Sequence, residues 1–144
     1  MRSFSAARRA LLMAGLASAA AVVHAQGAIK IGEINSYKAQ PAFLGPYKKG
    51  MELAVAQVNS AGGIQGRKLE LVVRDDNGNP GDAVRAADEL LAREKVDVLM
   101  GSFLSHVGLA LTDFAKQKKV FFLAAEPLTD KIVWENGNRY TFRL

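Results

Sequence analysis

The sequence predicts an α/β fold with a doubly wound parallel sheet. Apolar segments with strand character alternate along the chain with amphipathic segments that repeat apolar residues at helical spacing. Turn-forming residues separate the two kinds of segment. Strands that alternate with amphipathic helices are typical of a parallel sheet. Right-handed crossovers make a doubly wound sheet, with helices on both faces, the simplest arrangement.

The first half of the chain predicts two strands and two helices. AIKIGEI (28–34) has the composition of a strand. Pro46 suits the first position of a helix, and apolar residues then recur at helical spacing until the glycines of NSAGG (59–63) end it. RKLELVVRDD (67–76) is the second strand. NPGD (79–82) supplies an asparagine cap, a first-turn proline and an early acidic residue for the second helix.

The second half predicts three more strands. VDVLM (96–100) is the third strand, VFFLAA (120–125) the fourth and RYTFRL (139–144) the fifth. A short helix is expected at 128–134. Between the third and fourth strands lies a helix that begins near Ser105, and its apolar stripe consists of Val107, Ala110, Leu111 and Phe114.

Residues 1–25 are predicted to be a secretory signal peptide. Three arginines precede an apolar run from Ala10 to Val23, and no acidic residue occurs before Glu33. Small residues precede the expected cut after Ala25. A transmembrane anchor is the less favoured alternative, because about fourteen apolar residues fall short of the ~20 needed to cross a bilayer.

Charge and cysteine content exclude several classes of protein. Without the three leader arginines, sixteen basic residues face fourteen acidic ones, so the net charge falls from +5 to +2. The remaining charges are scattered, and no basic stripe indicates a nucleic-acid partner. The chain has no cysteine. Disulfides, thiolate metal sites and a lipidated N-terminal cysteine are therefore excluded.

Signatures of catalysis, metals and cofactors are also missing from the sequence. No phosphate-binding loop of the GxxxxGK[ST] type occurs, and GGIQG (62–66) lies between a helix and a strand, which is the wrong order for a dinucleotide site. Ser105 and His106 are adjacent but lack the glycines of a nucleophile elbow. Asp75 and Asp76 are expected to form a turn in preference to a metal site. The sequence therefore predicts no enzyme, metal or cofactor.

A ligand crevice is predicted where the strand order reverses. In the order 2-1-3-4-5 this point lies between the first and third strands, so the loops 35–45 and 101–105 border the crevice, with 124–130 beside them. Ser105 is expected where a helix begins, and its hydroxyl with the first-turn N–H groups would accept a carboxylate. A plain serine N-cap is an equally good interpretation of this spacing.

A distinctive order of motifs runs through the middle of the chain. A glycine turn, a double aspartate and an asparagine-proline cap lie in GGIQGRKLELVVRDDNGNPGDAVRAADELL (62–91), preceded by KKGMELAVAQVN and followed by VDVLMGSFLS. This segment resembles the leucine/isoleucine/valine-binding protein family, the receptors of branched-chain and related ABC importers. The resemblance implies a type I periplasmic binding fold, in which two α/β lobes close over a ligand. Residues 26–144 would then be an incomplete N-terminal ligand-binding lobe, with the second lobe absent.

The same resemblance implies the partners and the site. The partners would be a small-molecule ligand and the membrane subunits of an ABC importer, and the location would be the periplasm. Ser105 matches the family's serine that holds a ligand carboxylate. The full set of expected ligand-binding residues is Tyr37, Ser102, Phe103, Leu104, Ser105, Ala125 and Glu126.

Two loops depart from the family pattern and leave the ligand open. Ser36 and Tyr37 replace a serine-glycine pair in the first loop, and Glu126 stands where small residues and a threonine are common. Glu126 would either pair with a cation of the ligand or cap the short helix that follows. An amino acid, an amide, an aromatic acid or another small solute fits this pattern. A sensor domain of the same fold, signalling to a membrane partner, is the alternative function.

Processing of the leader gives a direct test. The exported chain should begin at Gln26, because the predicted cleavage site follows Ala25. Intact-mass analysis of periplasmic material checks this, and a dominant species that retains Met1 would contradict it.

Overall fold

The computed structural model describes residues 27–144, and the predicted signal peptide lies outside them. Within this range five parallel strands form one sheet in the order β2-β1-β3-β4-β5. The strands are β1 (Ile29–Asn35), β2 (Leu69–Asp75), β3 (Val98–Gly101), β4 (Phe122–Ala124) and β5 (Thr141–Arg143). The predicted α/β fold, the parallel sheet and the strand order are confirmed.

Three α-helices connect these strands. They are α1 (Pro41–Ser60), α2 (Pro80–Glu89) and α3 (Ser105–Lys118). The predicted cap of α2 is confirmed, since Asn79 Oδ1 accepts hydrogen bonds from the backbone N–H groups of Gly81 and Asp82. None of the helices among residues 27–144 has the length and apolar character needed to cross a membrane.

Two predicted helix boundaries are wrong. Helix α1 begins at Pro41, five residues earlier than Pro46, because Pro41 occupies the first helical position and Leu44 N already donates to Gln40 O at 3.0 Å. Pro46 lies inside the helix, where its missing N–H leaves a carbonyl of the preceding turn without its usual donor. The short helix expected at 128–134 is only a 3-10 turn, Asp130–Ile132.

The hydrophobic core lies on one face of the sheet, between the strands and helices α2 and α3. Gly32 of β1 allows this packing, because a Cβ at that position would lie 3.0–3.1 Å from the side chains of Val96, Leu90 and Leu99. The core consists of buried aliphatic and phenylalanine side chains: Ile34, Ala83, Ala86, Ala87, Leu90, Val96, Leu99, Val107, Leu111, Phe114, Ala115, Phe122, Ala124 and Ile132.

The opposite face of the sheet is covered only in part, by α1. An apolar groove of about 200 Å³ separates α1 from the strands, and it is lined by Ile31, Met51, Ala54, Val55, Val58, Leu69, Leu71 and Met100. Phe121 and Phe142 stack on each other at 5.4 Å and remain 42% and 52% exposed. Apolar surface of this kind is normally covered by another part of a protein.

Gly101 offers a test of how tightly the sheet is built at the end of β3. Its φ is +117°, and a Cβ there would lie 2.3 Å from Ile34 O. Gly101→Ala should therefore lower the free energy of unfolding by at least about 2 kcal/mol in urea denaturation. Gly50→Ala is the matched control, since Gly50 lies in α1 with no atom within 4 Å of the added Cβ, and should be neutral or stabilising. Equal effects of the two substitutions would contradict this account.

Candidate functional site

The predicted crevice loops meet at the carboxyl ends of β1, β3 and β4. Strands β1 and β3 are neighbours, while α1 and α3 that follow them pack on opposite faces of the sheet. Ser102 N donates to Ile34 O at 2.8 Å, which joins the loop after β3 to β1. Ala125 N donates to Gly101 O at 3.0 Å, which joins the loop after β4 to β3. This is the position where open α/β sheets bind ligands.

Ser105 lies at the first position of α3, and it is not the N-cap. Leu104 is the cap residue, with φ −80° and ψ 129°, and no side chain caps the helix. The interpretation of Ser105 as a plain N-cap is therefore wrong. The first-turn N–H groups of a helix lack intrahelical partners and favour an anion. The Ser105 hydroxyl stands beside these groups without being used to satisfy them.

The loop before Ser105 contains Ser102, whose hydroxyl forms a hydrogen bond within the loop, and the aromatic residue Phe103. Ser102 is buried with φ +69°, and its hydroxyl donates to Leu104 O at 3.2 Å. This serine therefore shapes the loop and does not present a free hydroxyl. Phe103 stacks on Phe43 of α1, with ring centroids 5.7 Å apart. Phe43 is 65% exposed, so the pair forms an aromatic surface that sequence reasoning only half identified.

Glu126 is held by β1 and does not cap the turn that follows it. Asn35 Nδ2 donates to Glu126 Oε2 at 2.9 Å. The 3-10 turn is capped instead by Thr129, whose Oγ1 accepts from Lys131 N. The ion pairs found in the described part of the chain do not include Glu126. Within residues 27–144 its half-buried carboxylate thus has a neutral amide as its hydrogen-bond partner.

The hydroxyl of Tyr37 already forms a hydrogen bond within the protein, so it is not free to bind a ligand. Tyr37 Oη donates to Glu33 Oε2 at 2.7 Å. Burial, together with the charge of Glu33 and this hydrogen bond, raises the pKa of Tyr37 far above its usual range. Tyr37 therefore remains neutral and holds the first loop against β1.

Glu33 is the site residue that sequence reasoning missed. It lies in β1, its side chain is fully buried, and its Oε1 has no hydrogen-bond partner among residues 27–144. Burial raises the pKa of Glu33 from 4.5 to about 8, and the charges of Glu126 and Asp76 act in the same direction. Hydrogen bonds with Tyr37 and Asn35 oppose this shift but are outweighed. Glu33 is therefore mainly a neutral carboxylic acid at pH 7. The available signal was a glutamate next to the carboxyl end of the predicted first strand, 28–34.

Tyr47 of α1 completes the buried group around Glu33. Its hydroxyl is buried and has no partner in the described range. Burial raises the pKa of Tyr47 above its usual range, and the charges of Glu33 and Glu126 add to this effect. Tyr47 is thus close enough to both carboxyls to respond to their charge.

The double aspartate forms a turn, as predicted. Asp75 Oδ1 accepts from Asn77 N at 2.8 Å, and Asp76 Oδ1 accepts from Gly78 N at 2.7 Å. Asp76 Oδ1 also accepts from the hydroxyl of Ser36 at 2.6 Å, so this turn is fastened to the loop after β1. Burial raises the pKa of Asp76.

A cavity of about 450 Å³ lies beside the crevice without belonging to it. It is lined by Tyr37, Pro41, Gly45, Lys48, Val73 and Asp75, which places it between α1 and β2. Of the predicted ligand-binding residues only Tyr37 lines it. The predicted residues Ser105, Phe103 and Glu126 instead gather around the ends of β3 and β4.

The chain matches a family model described as periplasmic binding protein over residues 28–144. Among curated proteins it is similar to the Leu/Ile/Val-binding protein homolog 7 of Brucella abortus (strain 2308), with 32% identity over 124 residues that cover 85% of this chain and 30% of that protein. The chain thus spans about a third of the length of the curated relatives it matches.

Solved structures show the same likeness. A solute binding protein of an ABC transporter from Rhodopseudomonas palustris BisB5, in complex with 3,4-dihydroxy benzoic acid, is 26% identical with a TM-score of 0.71, covering 81% of this chain and 31% of that one. A branched-chain amino acid transporter substrate binding protein from Streptococcus pneumoniae, in complex with isoleucine, is 26% identical with a TM-score of 0.68, covering 81% and 33%.

The raised pKa of Glu33 predicts how stability depends on pH. The folded chain keeps a proton that the unfolded chain releases above about pH 4.5, so this group's contribution to the free energy of unfolding falls as pH rises from about 4.5 to about 8. Glu33→Gln removes the ionisation and keeps the shape. In urea denaturation its stability relative to the parent should rise between about pH 5 and 8, by up to roughly 4 kcal/mol.

Glu70→Gln is the matched control for this measurement. Glu70 lies on β2 with a half-exposed side chain, so the stability of this variant relative to the parent should stay nearly flat over the same range. A difference between Glu33→Gln and the parent that did not change with pH would show that Glu33 is ionised in the folded chain.

Proposed function

Since the chain belongs to the periplasmic binding protein family, we propose that it is the N-terminal ligand-binding lobe of an extracytoplasmic receptor that delivers a small solute to an ABC importer. The parallel α/β sheet with the strand order of a type I periplasmic binding lobe agrees with this role. The proposal includes export with cleavage after Ala25, a periplasmic location and the membrane subunits of an importer as partners.

The observation that carries the proposal is the position of Ser105. Its hydroxyl lies at the first residue of α3 and is not used to cap that helix. Together with the unpaired N–H groups of the first turn, it suits a carboxylate or an amide oxygen. The ligands named for the two solved relatives, isoleucine and 3,4-dihydroxy benzoic acid, both carry a carboxylate.

Apolar and acidic groups on either side of Ser105 suit the rest of such a solute. The stacked rings of Phe43 and Phe103 offer an aromatic surface at the rim. Glu126 offers a carboxylate at the end of the neighbouring strand. Small-molecule sites commonly combine an apolar wall with a few converging polar groups. We therefore propose an amino acid or a related small carboxylate or amide as the ligand.

The proposed mechanism needs a second lobe. The chain spans about a third of the length of its relatives. We propose that a second α/β lobe closes over the carboxyl ends of β1, β3 and β4 and provides the remaining contacts. Closure would then be the signal that the membrane subunits of the importer recognise.

Ser105→Ala tests the carboxylate contact in the full-length protein. A hydrogen bond to a charged group is worth about 1.5 to 3 kcal/mol, so the affinity for a carboxylate ligand should fall by roughly tenfold or more. The melting temperature without ligand should hardly change, because Ser105 does not cap α3. Calorimetry with isoleucine and with 3,4-dihydroxybenzoate, beside thermal melting, measures both quantities.

Ser60→Ala is the matched control for this substitution. Ser60 lies at the end of α1, where its hydroxyl donates to Gln57 O, far from the crevice. It should leave affinity unchanged. Normal binding by Ser105→Ala combined with a lower melting temperature would show that the serine is structural and that the ligand does not lie at this helix.

A further inference from the structure

Two carboxyl groups near the carboxyl end of β1, Glu33 and Glu126, share the Asn35 side chain as a hydrogen-bond partner and form no ion pair within residues 27–144. Glu33 and Glu126 are coupled, since the charge of Glu126 raises the pKa of Glu33. Each has a neutral hydrogen-bond donor, Tyr37 for Glu33 and Asn35 for Glu126. No lysine, arginine or histidine of the described residues forms an ion pair with either carboxyl. Among residues 27–144 no side chain therefore supplies a positive charge to this pair.

Besides Asp76 Oδ2, two buried side-chain polar atoms of residues 27–144 have no hydrogen-bond partner within that range. These are Glu33 Oε1 and Tyr47 Oη. Glu33 Oε1 lies at the end of β3, because a Cβ on Gly101 would be 2.9 Å from it. An unpaired buried oxygen costs free energy. Glu33 Oε1 is fully buried and lies next to the start of the loop after β3. We therefore expect it to gain a hydrogen-bond partner when a ligand binds.

The chemistry of the missing partner follows from the groups present. Ionised carboxylates only accept hydrogen bonds, and an ammonium offers three donors and a positive charge. Within residues 27–144 no cluster of three or more His, Cys, Asp or Glu side chains suited to a metal ion occurs. A cationic nitrogen on an organic ligand therefore fits this pair of carboxyls best, with Glu126 as the group it can reach.

We propose that Glu33 and Glu126 form a proton-linked subsite for a cationic nitrogen of the ligand, in which Glu33 releases a proton when that nitrogen binds beside Glu126. The inference rests on the proposed solute-binding function. The O–H bond of the Glu33 carboxylic acid breaks, the proton passes to solvent, and the ligand nitrogen keeps its charge. A nearby positive charge favours the ionised form of a buried acid, which is the physical cause of the release.

Among the titratable groups of this cluster, Glu33 is the one expected to exchange a proton near neutral pH. Tyr37 and Tyr47 stay protonated, because their pKa values lie above the usual range. Asp76, at the end of β2, has a pKa raised by burial but receives hydrogen bonds that favour its ionised form. Glu126 has no comparable burial. The pKa of Glu33, at about 8, places its proton where ligand binding can remove it.

Calorimetry of the full-length protein tests the inference with two matched pairs of probes. L-leucine is compared with 4-methylpentanoate, and L-phenylalanine with 3-phenylpropanoate, because the second member of each pair lacks only the ammonium. Each titration is repeated in phosphate and in Tris buffer, whose ionisation enthalpies differ. The amino acids should release up to about one proton per site and bind more tightly as pH rises toward 8, while the acids should release none.

Three variants assign the effect to the subsite. Glu33→Gln should abolish the proton release and the pH dependence, and Glu70→Gln, an exposed carboxyl on β2, should keep both. Glu126→Gln should weaken the amino acids by about tenfold and leave the acids unaffected.

The outcomes separate this inference from the proposed function. Amino acids that bind without proton release, or with the same release in Glu33→Gln, overturn the subsite and leave the solute-binding role standing. Equal affinity for an amino acid and for its matched acid would also overturn the subsite and leave the solute-binding role standing. If none of the four probes binds, both the subsite and an apolar amino acid as the ligand are overturned.

Discussion

The contact between the end of β3 and the end of β1 is the constraint on which the site depends. Gly101 approaches the backbone of β1 so closely that no side chain fits between them. Ser102 N and Ala125 N both form hydrogen bonds at this junction, one to Ile34 O and the other to Gly101 O. The ends of three parallel strands are thereby held together, and the loops that follow them can form one crevice.

The predicted site residues fall into two groups, according to whether their polar side chains form hydrogen bonds that hold the loops. The hydroxyls of Tyr37 and Ser102 are committed to Glu33 and to Leu104 O, so these residues hold loops in place. Within residues 27–144 the Ser105 hydroxyl does not cap α3, and Glu126 accepts one side-chain hydrogen bond, from Asn35. The candidate site thus keeps Ser105 and Glu126 as its polar groups beside the stacked rings of Phe43 and Phe103, and the buried carboxyl of Glu33 lies near the carboxyl end of β1.

The sequence predicted the strand order and one helix cap correctly, but it did not predict where two of the helical segments begin and end. The strand order and the cap at Asn79 followed from local patterns, because alternation of elements and capping depend on residues near each other in sequence. The start of α1 did not, since both Pro41 and Pro46 are acceptable to a helix and the choice depends on how the first loop is tied to β1. The helix expected at 128–134 is only the 3-10 turn Asp130–Ile132, which Thr129 caps.

The sequence by itself determined the class of fold, the order of the strands and the serine at the start of α3. These depend on periodicity and on motif order, which are properties of the chain read in one dimension. Only the tertiary structure decided what surrounds Glu33. Its partner Tyr37 is local, but Glu126, Asp76 and Tyr47 come from three other parts of the chain. Burial and charge at Glu33 arise from their meeting in space, and no local pattern encodes that.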